Sequence, residues 1–418
     1  MPHAMDDATD ATLAAQYEAF PYPRRDPREE ASRLIVGSPS HLREIDHWVF
    51  AARRPRNVPL RALVAGGGTG DATIMLAAQM ARDGRPGRVT FLDRSAAAMA
   101  VARARAAARG LELDWRHGSL LDLPGAGIGP FDYIDCVGVL HHLPDPAAGL
   151  AALVSVLAPG GGMGLMVYAP HGRNGVYMLQ DALRRLAPPT LPPTARLDVA
   201  RRLMAQLPAS APLRANRSVT DHLAGGDAGL YDLLLNPRDQ AFTITRLLDL
   251  LADAGLAATC LLEPARYDPA LLLSDAKLRA AAFALPATER AQLAEDLSGA
   301  MSTHVVYCVR ANERPEPPDA MAPEAVPIMR EMPGEALARL IRADGVLPVT
   351  VEGDTLAVPL PPLAGAILRL IDGQRSVAGI YAALTARGIP AATAERAWRE
   401  VAGRLVPANR VLFSPAAT

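Results

Sequence analysis

The run Leu63-Val64-Ala65-Gly66-Gly67-Gly68-Thr69-Gly70-Asp71 constrains this chain more than any other stretch. A short apolar segment, 60–65, leads into it, and residues 71–82 follow with helical spacing. Glycine has no Cβ, so it turns a strand tightly into a helix and lets main chain approach a bound molecule. A strand, a glycine turn and a helix in that order predict a doubly wound α/β sheet. Nicotinamide and flavin proteins use such a turn too, and two details narrow the choice. The spacing is GxGxG (Gly66, Gly68, Gly70), and Asp71 stands where a dehydrogenase carries its third glycine. The second strand then ends in Phe91-Leu92-Asp93. A carboxylate there can accept both hydroxyl hydrogens of a ribose.

Strand and helix patterns alternate onward. Strands are expected over 88–92, 113–117, 131–137 and 163–168, with helices over 95–109 and 147–157. That alternation implies βαβ units and a parallel sheet. Residues 243–254 read as an amphipathic helix. Residues 257–262 and 304–310 read as the last two strands of the same sheet, with a helical excursion through 291–297 between them.

Three later segments narrow the class. Gly118-Ser119-Leu120-Leu121-Asp122-Leu123-Pro124 follows the third strand. The fourth strand opens 131, FDYIDCVGVLHHLPDP, 146, and Leu157-Ala158-Pro159-Gly160-Gly161-Gly162 precedes the fifth. Together with the glycine turn, these resemble the class I S-adenosylmethionine-dependent methyltransferases over roughly 60–168. The resemblance implies a Rossmann-like seven-stranded sheet with helical insertions, the cofactor lying across the strand C-termini. It implies that Gly66, Gly68 and Gly70 lie against the methionine part and that Asp93 holds the ribose, with Gly67, Asp71 and Arg94 as further cofactor-binding candidates. Ser119 and Leu120 border the adenine, and Gly138 lies near the transferring methyl. The product would be S-adenosylhomocysteine, and no metal is implied. The family usually carries an acid at the position of Val64, to help hold the cofactor's ammonium, and often Asp where Ser119 stands. Relatives that include tetratricopeptide-linked methyltransferases share the "LVAG" and "PYP" stretches, so Val64 does not by itself imply a dead site. Backbone carbonyls or Asp71 are the expected substitutes.

Methyl transfer is largely positioning, and a base is needed only if the nucleophile arrives protonated. His141, at the end of the fourth strand, is the candidate base, against a plain packing role for His141-His142. Tyr168 follows the fifth strand and is the second catalytic candidate. Tyr17, Tyr22 and Arg24 are expected to form a lid, with Arg pairing a carboxylate. His171, Arg173 and Tyr177 lie at the edge where such folds place substrates. The turn Asn236-Pro237-Arg238-Asp239 has either a substrate role or an internal Arg238 to Asp239 pairing.

Lys and Arg number 43 against 44 Asp and Glu, a net charge of -1, which disfavours nucleic acid or an anionic membrane as partner. The fourth strand also lacks the Pro-Pro and aromatic run of base-methylating enzymes. No apolar run approaches a membrane span, and no signal peptide is visible. The three Cys form no CxxC pair, so reduced thiols and a cytoplasmic place are expected. The expected domains are 1–56 as an arm or lid and 57–311 as the methyltransferase domain, with insertions near 171–255 and 268–302. A linker over 312–332 follows, five prolines falling in 313–327, and then a helical block over 333–418. In that block, helix, Asp372-Gly373, helix is similar to winged-helix-like domains ending bacterial protein-lysine methyltransferases. Nine Arg against eight acids from Glu331 onward disfavour DNA binding. The block reads as a peptide- or protein-docking module, or as a packing or homodimer element. The acceptor is expected to be a protein or peptide side chain, with an amine as one form. A small-molecule methyltransferase and an inactive cofactor-binding regulator are the alternatives.

Overall fold

The computed structural model describes residues 2–351 and 354–415. Seven strands form one sheet: β1 (Leu60–Ala65), β2 (Gly87–Asp93), β3 (Asp114–His117), β4 (Phe131–Val137), β5 (Leu157–Tyr168), β6 (Leu256–Leu262) and β7 (Thr303–Arg310). Their order is β3-β2-β1-β4-β5-β7-β6. β1 to β5 run parallel and β7 is antiparallel to both its neighbours. The chain winds outward from β1 to β3 and then returns to β4 beside β1. That reversal opens a crevice at the strand C-termini, where α/β sheets bind ligands.

β4 reads as a near-continuous buried run because both faces of the sheet are covered. One face carries Leu63, Ala65, Ile134, Cys136, Met163 and Leu165. The other carries Ala62, Val64 and Tyr133, under Leu76 and Met80 of the helix Asp71–Arg82. Leu42, Ile45 and Val49 join this second layer. The N-terminal 1–56 is therefore more than the expected arm or lid. It supplies a helix, α1 (Pro2–Ala19), and its residues 42–49 are part of the sheet's cover.

Counting on from α1, the helices that matter below are α2 (Asp71–Arg82), α3 (Ala96–Ala108), α4 (Pro146–Ser155), α5 (Val176–Leu186), α6 (Pro193–Gln206) and α7 (Gly226–Leu235). α5, α6 and α7 fill the connection after β5 and share their own apolar cluster, on which Phe20 packs. Phe20 stacks on Tyr231 of α7 at 5.0 Å, which ties the segment after α1 to this insertion.

The proline-rich stretch is shorter as a connection than 312–332. Val326–Met329 is a strand, paired antiparallel with Val411–Ser414. Trp398 donates its indole N–H to the Ala320 carbonyl at 2.7 Å. Proline is tolerated on such an edge pair, and Pro327 lies opposite Phe413. The block also contains a hairpin, Val346–Val351 with Asp354–Pro359, which the helical reading did not include. Its core surrounds Trp398. It is held to the sheet domain at Glu44, a fully buried carboxylate that accepts from Tyr307 Oη (2.7 Å), Asn409 Nδ2 (2.6 Å) and Arg330.

Candidate functional site

At the reversal point lies a cavity of about 410 Å³, lined from the turn after β1 and from β2, β4, β5, α1, α2, α3 and α7. Its floor is the glycine turn. Gly66 and Gly68 hold φ of +80° and +51°, which L side chains rarely adopt. A Cβ on Gly66 would stand 2.2 Å from the Val139 side chain, and one on Gly67 would enter the Phe91 ring. Gly66, Gly67 and Gly68 line the cavity, whereas Gly70 does not. Gly70 starts α2 at φ +100° and sits against Ala102 of α3, so helix packing explains it.

Asp93, at the end of β2, points its carboxylate back at the turn. It accepts from the Gly68 amide (2.7 Å) and the Ser95 amide (2.8 Å), one oxygen each. The Arg94 main chain adds a third such contact, and the carboxylate's lone pairs still leave room for a ligand. Burial raises its pKa, and these amide hydrogen bonds oppose the shift. Arg94, Gly118, Ser119, Leu120 and Gly138 line the same space. The Ser119 hydroxyl caps the turn Leu120–Gly125, accepting from the Leu121 amide at 3.2 Å.

Asp71 lines the cavity, but its oxygens are committed. Arg25 grips both of them (Nε at 2.9 and 3.1 Å, the terminal nitrogen at 2.6 Å), and Arg105 adds a contact at 2.6 Å. Burial alone would raise the Asp71 pKa, and these guanidiniums reverse it to a lowered value. Asp71 is thus a clamp for the N-terminal segment, which corrects its expected role at the ammonium. The lid arginine is likewise Arg25, which lines the cavity, while Arg24 is exposed. Successive residues of an extended segment face opposite ways.

The far end of the cavity is built by side chains from distant segments. Asp232, in α7, is 5% exposed. It accepts from the hydroxyls of Tyr17 (3.0 Å) and Tyr168 (3.4 Å), and from Asn236 and Gln16. Burial raises the Asp232 pKa, and the hydrogen bond from Tyr17 opposes the shift. Burial, with Asp232 beside them, pushes both tyrosines well above their ordinary range, so they remain donors. Tyr22 lines this space and donates to Asp221.

Of the histidine pair, His142 lines the cavity and His141 does not. His141 is fully buried with its ring stacked on Tyr168 at 3.8 Å, and neither ring nitrogen has a partner. Burial pushes its pKa well down. The short turn Leu140–His142 aims the two rings differently, so the candidate base moves from His141 to His142. His142 Nδ1 stands 2.7 Å from the Arg238 carbonyl. A carbonyl only accepts, so Nδ1 carries the proton and Nε2 of the neutral ring is an acceptor.

The remaining candidates sit behind or away from the cavity. Arg173 is buried, paired with Asp239 at 2.8 Å, and its guanidinium lies 3.7 Å from the Tyr168 ring centre. Tyr177 accepts from Arg173 at 3.2 Å. These two hold Tyr168 in place instead of lining the site. Asp239 therefore has Arg173 as its ion-pair partner. His171 is exposed and pairs with Asp296 at 3.3 Å, outside the cavity. Sequence reasoning missed Asp135, Asp232, Arg25 and His142. The signal for the two acids was a charge inside an otherwise apolar run: the second Asp of FDYIDCV for Asp135 and the lone Asp of GLYDLLL for Asp232.

All three cysteines are buried, and burial pushes Cys308 up to about 12. Among the described residues no group of three His, Cys, Asp or Glu is placed to hold a metal. No helix among them is long and apolar enough to cross a membrane.

Residues 63–163 match the methyltransferase domain family. An uncharacterized protein of a Synechococcus strain is 31% identical over 280 residues, which is 64% of this chain and 63% of that protein. The ubiquinone biosynthesis O-methyltransferase of Xanthomonas axonopodis pv. citri is 34% identical over 27% of this chain and 44% of that enzyme. The chain thus spans 63% and 44% of the length of these two relatives. Among solved structures, PKMT2 from Rickettsia typhi superposes with a TM-score of 0.60 at 12% identity, covering 88% of this chain and 74% of that one. The matched segment, the strand order and the glycine turn with Asp93 agree, and together they support a class I S-adenosylmethionine-dependent methyltransferase domain around residues 63–163.

Proposed function

We propose that this chain methylates an amine on a protein or peptide side chain, using S-adenosylmethionine. The residues fit that cofactor. The turn is a cradle that a Cβ would fill at Gly66, and Asp93 has lone pairs to spare for ribose hydroxyls. Gly118, Ser119 and Leu120 would border the adenine, and Arg25 stands where a carboxylate could be met. When bound, the cofactor supplies a methyl carbon activated by a positively charged sulfur.

The observation that carries the amine reading is the far end of the cavity. A buried carboxylate, Asp232, is flanked there by Tyr17, Tyr168 and His142. Aromatic rings around one carboxylate suit an ammonium group, which is attracted to the carboxylate and to ring faces. Asp232 orients such an acceptor through a charge-assisted hydrogen bond. His142 Nε2 is the nearby group able to hold a proton lost by the acceptor. The tyrosines and α1 exclude water from that end.

A phenolic hydroxyl as acceptor is the second reading. It is favoured by His142 Nε2, an acceptor suited to an O–H, and it accords with the O-methyltransferase relatives.

The test is transfer of a tritiated methyl group from S-adenosylmethionine into lysate, separated into protein, nucleic-acid and small-molecule fractions. Label in protein that survives mild base is the expected result, because N-methyl groups are stable and methyl esters are not. Label confined to small molecules supports the second reading. Bound cofactor with label nowhere contradicts both and leaves an inactive regulator.

A further inference from the structure

Four carboxylates line the cavity: Asp71, Asp93, Asp135 and Asp232. Three of them are satisfied. Asp71 has two guanidiniums, Asp93 has backbone amides, and Asp232 has two tyrosines and two amide side chains. Asp135 differs from all of them. It is 1% exposed, its Oδ2 meets the Ser40 hydroxyl, and its Oδ1 has no partner. A buried carboxylate oxygen left unpaired is costly, and such groups mark positions completed by something else. The missing partner must donate hydrogen bonds, and a positive one gains most.

The position of Asp135 narrows the partner further. In the sheet register Asp135 lies beside Val64, two residues before the glycine turn. Neighbours in parallel register point to the same face, so the Asp135 carboxylate stands next to the Val64 side chain, on the face covered by residues 42–49 and α2. Ala72 of α2 and Arg25 line the cavity with it. Another cavity acid, Asp71, is closed off by Arg25 and Arg105.

We propose that Asp135, held by Ser40, receives the α-ammonium group of the bound S-adenosylmethionine. This inference rests on the cofactor reading above. It makes β4 supply the negative charge that β1 lacks at Val64, with Arg25 at hand for the carboxylate of the same amino-acid group. The cofactor's sulfonium is not the partner, because it has no hydrogen to donate to the unpaired oxygen.

The test is calorimetric titration of the full chain with two ligands. S-adenosylhomocysteine carries the amino-acid end, and 5′-methylthioadenosine keeps the adenosine and sulfur without it. For Asp135→Asn the expected result is a loss of about 10-fold to 100-fold in S-adenosylhomocysteine affinity, the size of one hydrogen bond to a charged group. Affinity for 5′-methylthioadenosine should stay within about twofold, since that ligand presents nothing for this group to lose. Ser40→Ala should give a smaller loss in the same selective pattern. Unchanged S-adenosylhomocysteine affinity overturns the proposal. An equal loss for both ligands also overturns it, by making Asp135 a determinant of pocket shape. Should Asp135→Asn fail to fold, absence of a selective loss in Ser40→Ala overturns it. A native chain that binds neither ligand contradicts the cofactor reading itself, and the assignment falls with it.

Discussion

The two ends of the cavity are built by different means. At the glycine end, the ligand-facing groups belong to one continuous stretch and its sheet neighbour: Gly66, Gly67, Gly68 and Asp93, joined by main-chain hydrogen bonds. At the far end, Tyr17 and Asp232 meet across 215 positions of sequence, and Tyr168 and His142 come from two further segments. The first end depends on backbone conformation, which only glycine supplies cheaply. The second depends on helices α1 and α7 being docked correctly on the sheet. It follows that the first end can survive a change in acceptor chemistry, while the second can be rebuilt without losing the cofactor.

Substitutions can break this separation, and the largest effect is expected beneath the glycine end. Arg105 is 1% exposed and joins Glu30, Asp71 and the Thr69 carbonyl. Arg105→Met removes the buried cation that Glu30 and Asp71 share, leaving Glu30 to Arg109 and Asp71 to Arg25, and should cost about 3 kcal/mol in a urea unfolding experiment. A loss under about 1 kcal/mol would mean that the clamp is not structural.

Next comes Asp93→Ala. It should weaken S-adenosylhomocysteine by about 1–3 kcal/mol in calorimetry while leaving the thermal transition nearly in place. Asp232→Asn is the complementary change. It should leave that affinity within about twofold and lower kcat/KM for the acceptor by about 1.5–3 kcal/mol, one hydrogen bond to a charged group. If Asp232→Asn weakens the cofactor as much as Asp93→Ala does, the two ends are one site. The smallest effect is expected from Tyr17→Phe, about 0.5–1.5 kcal/mol on the acceptor's kcat/KM.

A pH experiment sharpens the comparison from within the apo protein. Burial raises Asp135 from its ordinary 3.8 to about 7. The folded chain therefore binds this proton more tightly than the unfolded chain does. The stability tied to it is full below about pH 4 and is lost as pH rises toward about 7. Asparagine does not titrate. The melting temperature of Asp135→Asn relative to the native chain should therefore rise between pH 5 and pH 8. A difference independent of pH would show that Asp135 is ionised and solvated.

The glycine end was legible because its determinants are local. β1, α2 and β4 stand at their expected limits, and Asp93 was placed from the strand that ends in it. Gly70 was misread because packing against Ala102 lies across the fold, in a helix the turn itself does not specify. The far end was only partly legible. Tyr17, Tyr22 and Tyr168 were singled out, but their common partner Asp232 was not, since it sits in an apolar helix with no motif around it. Arg24 against Arg25 and His141 against His142 are failures of the same kind. Which of two adjacent side chains faces a cavity depends on the rotation of a short turn, and composition is blind to that. The edge strand Val326–Met329 was hidden by its proline-rich setting.

The most direct measurement is a crystal structure of the chain grown with S-adenosylhomocysteine. The predicted result has the ribose hydroxyls on the Asp93 carboxylate and the sulfur turned toward Tyr17, His142 and Asp232. A ribose held away from Asp93, or a sulfur facing away from that cluster, would contradict the two-ended site.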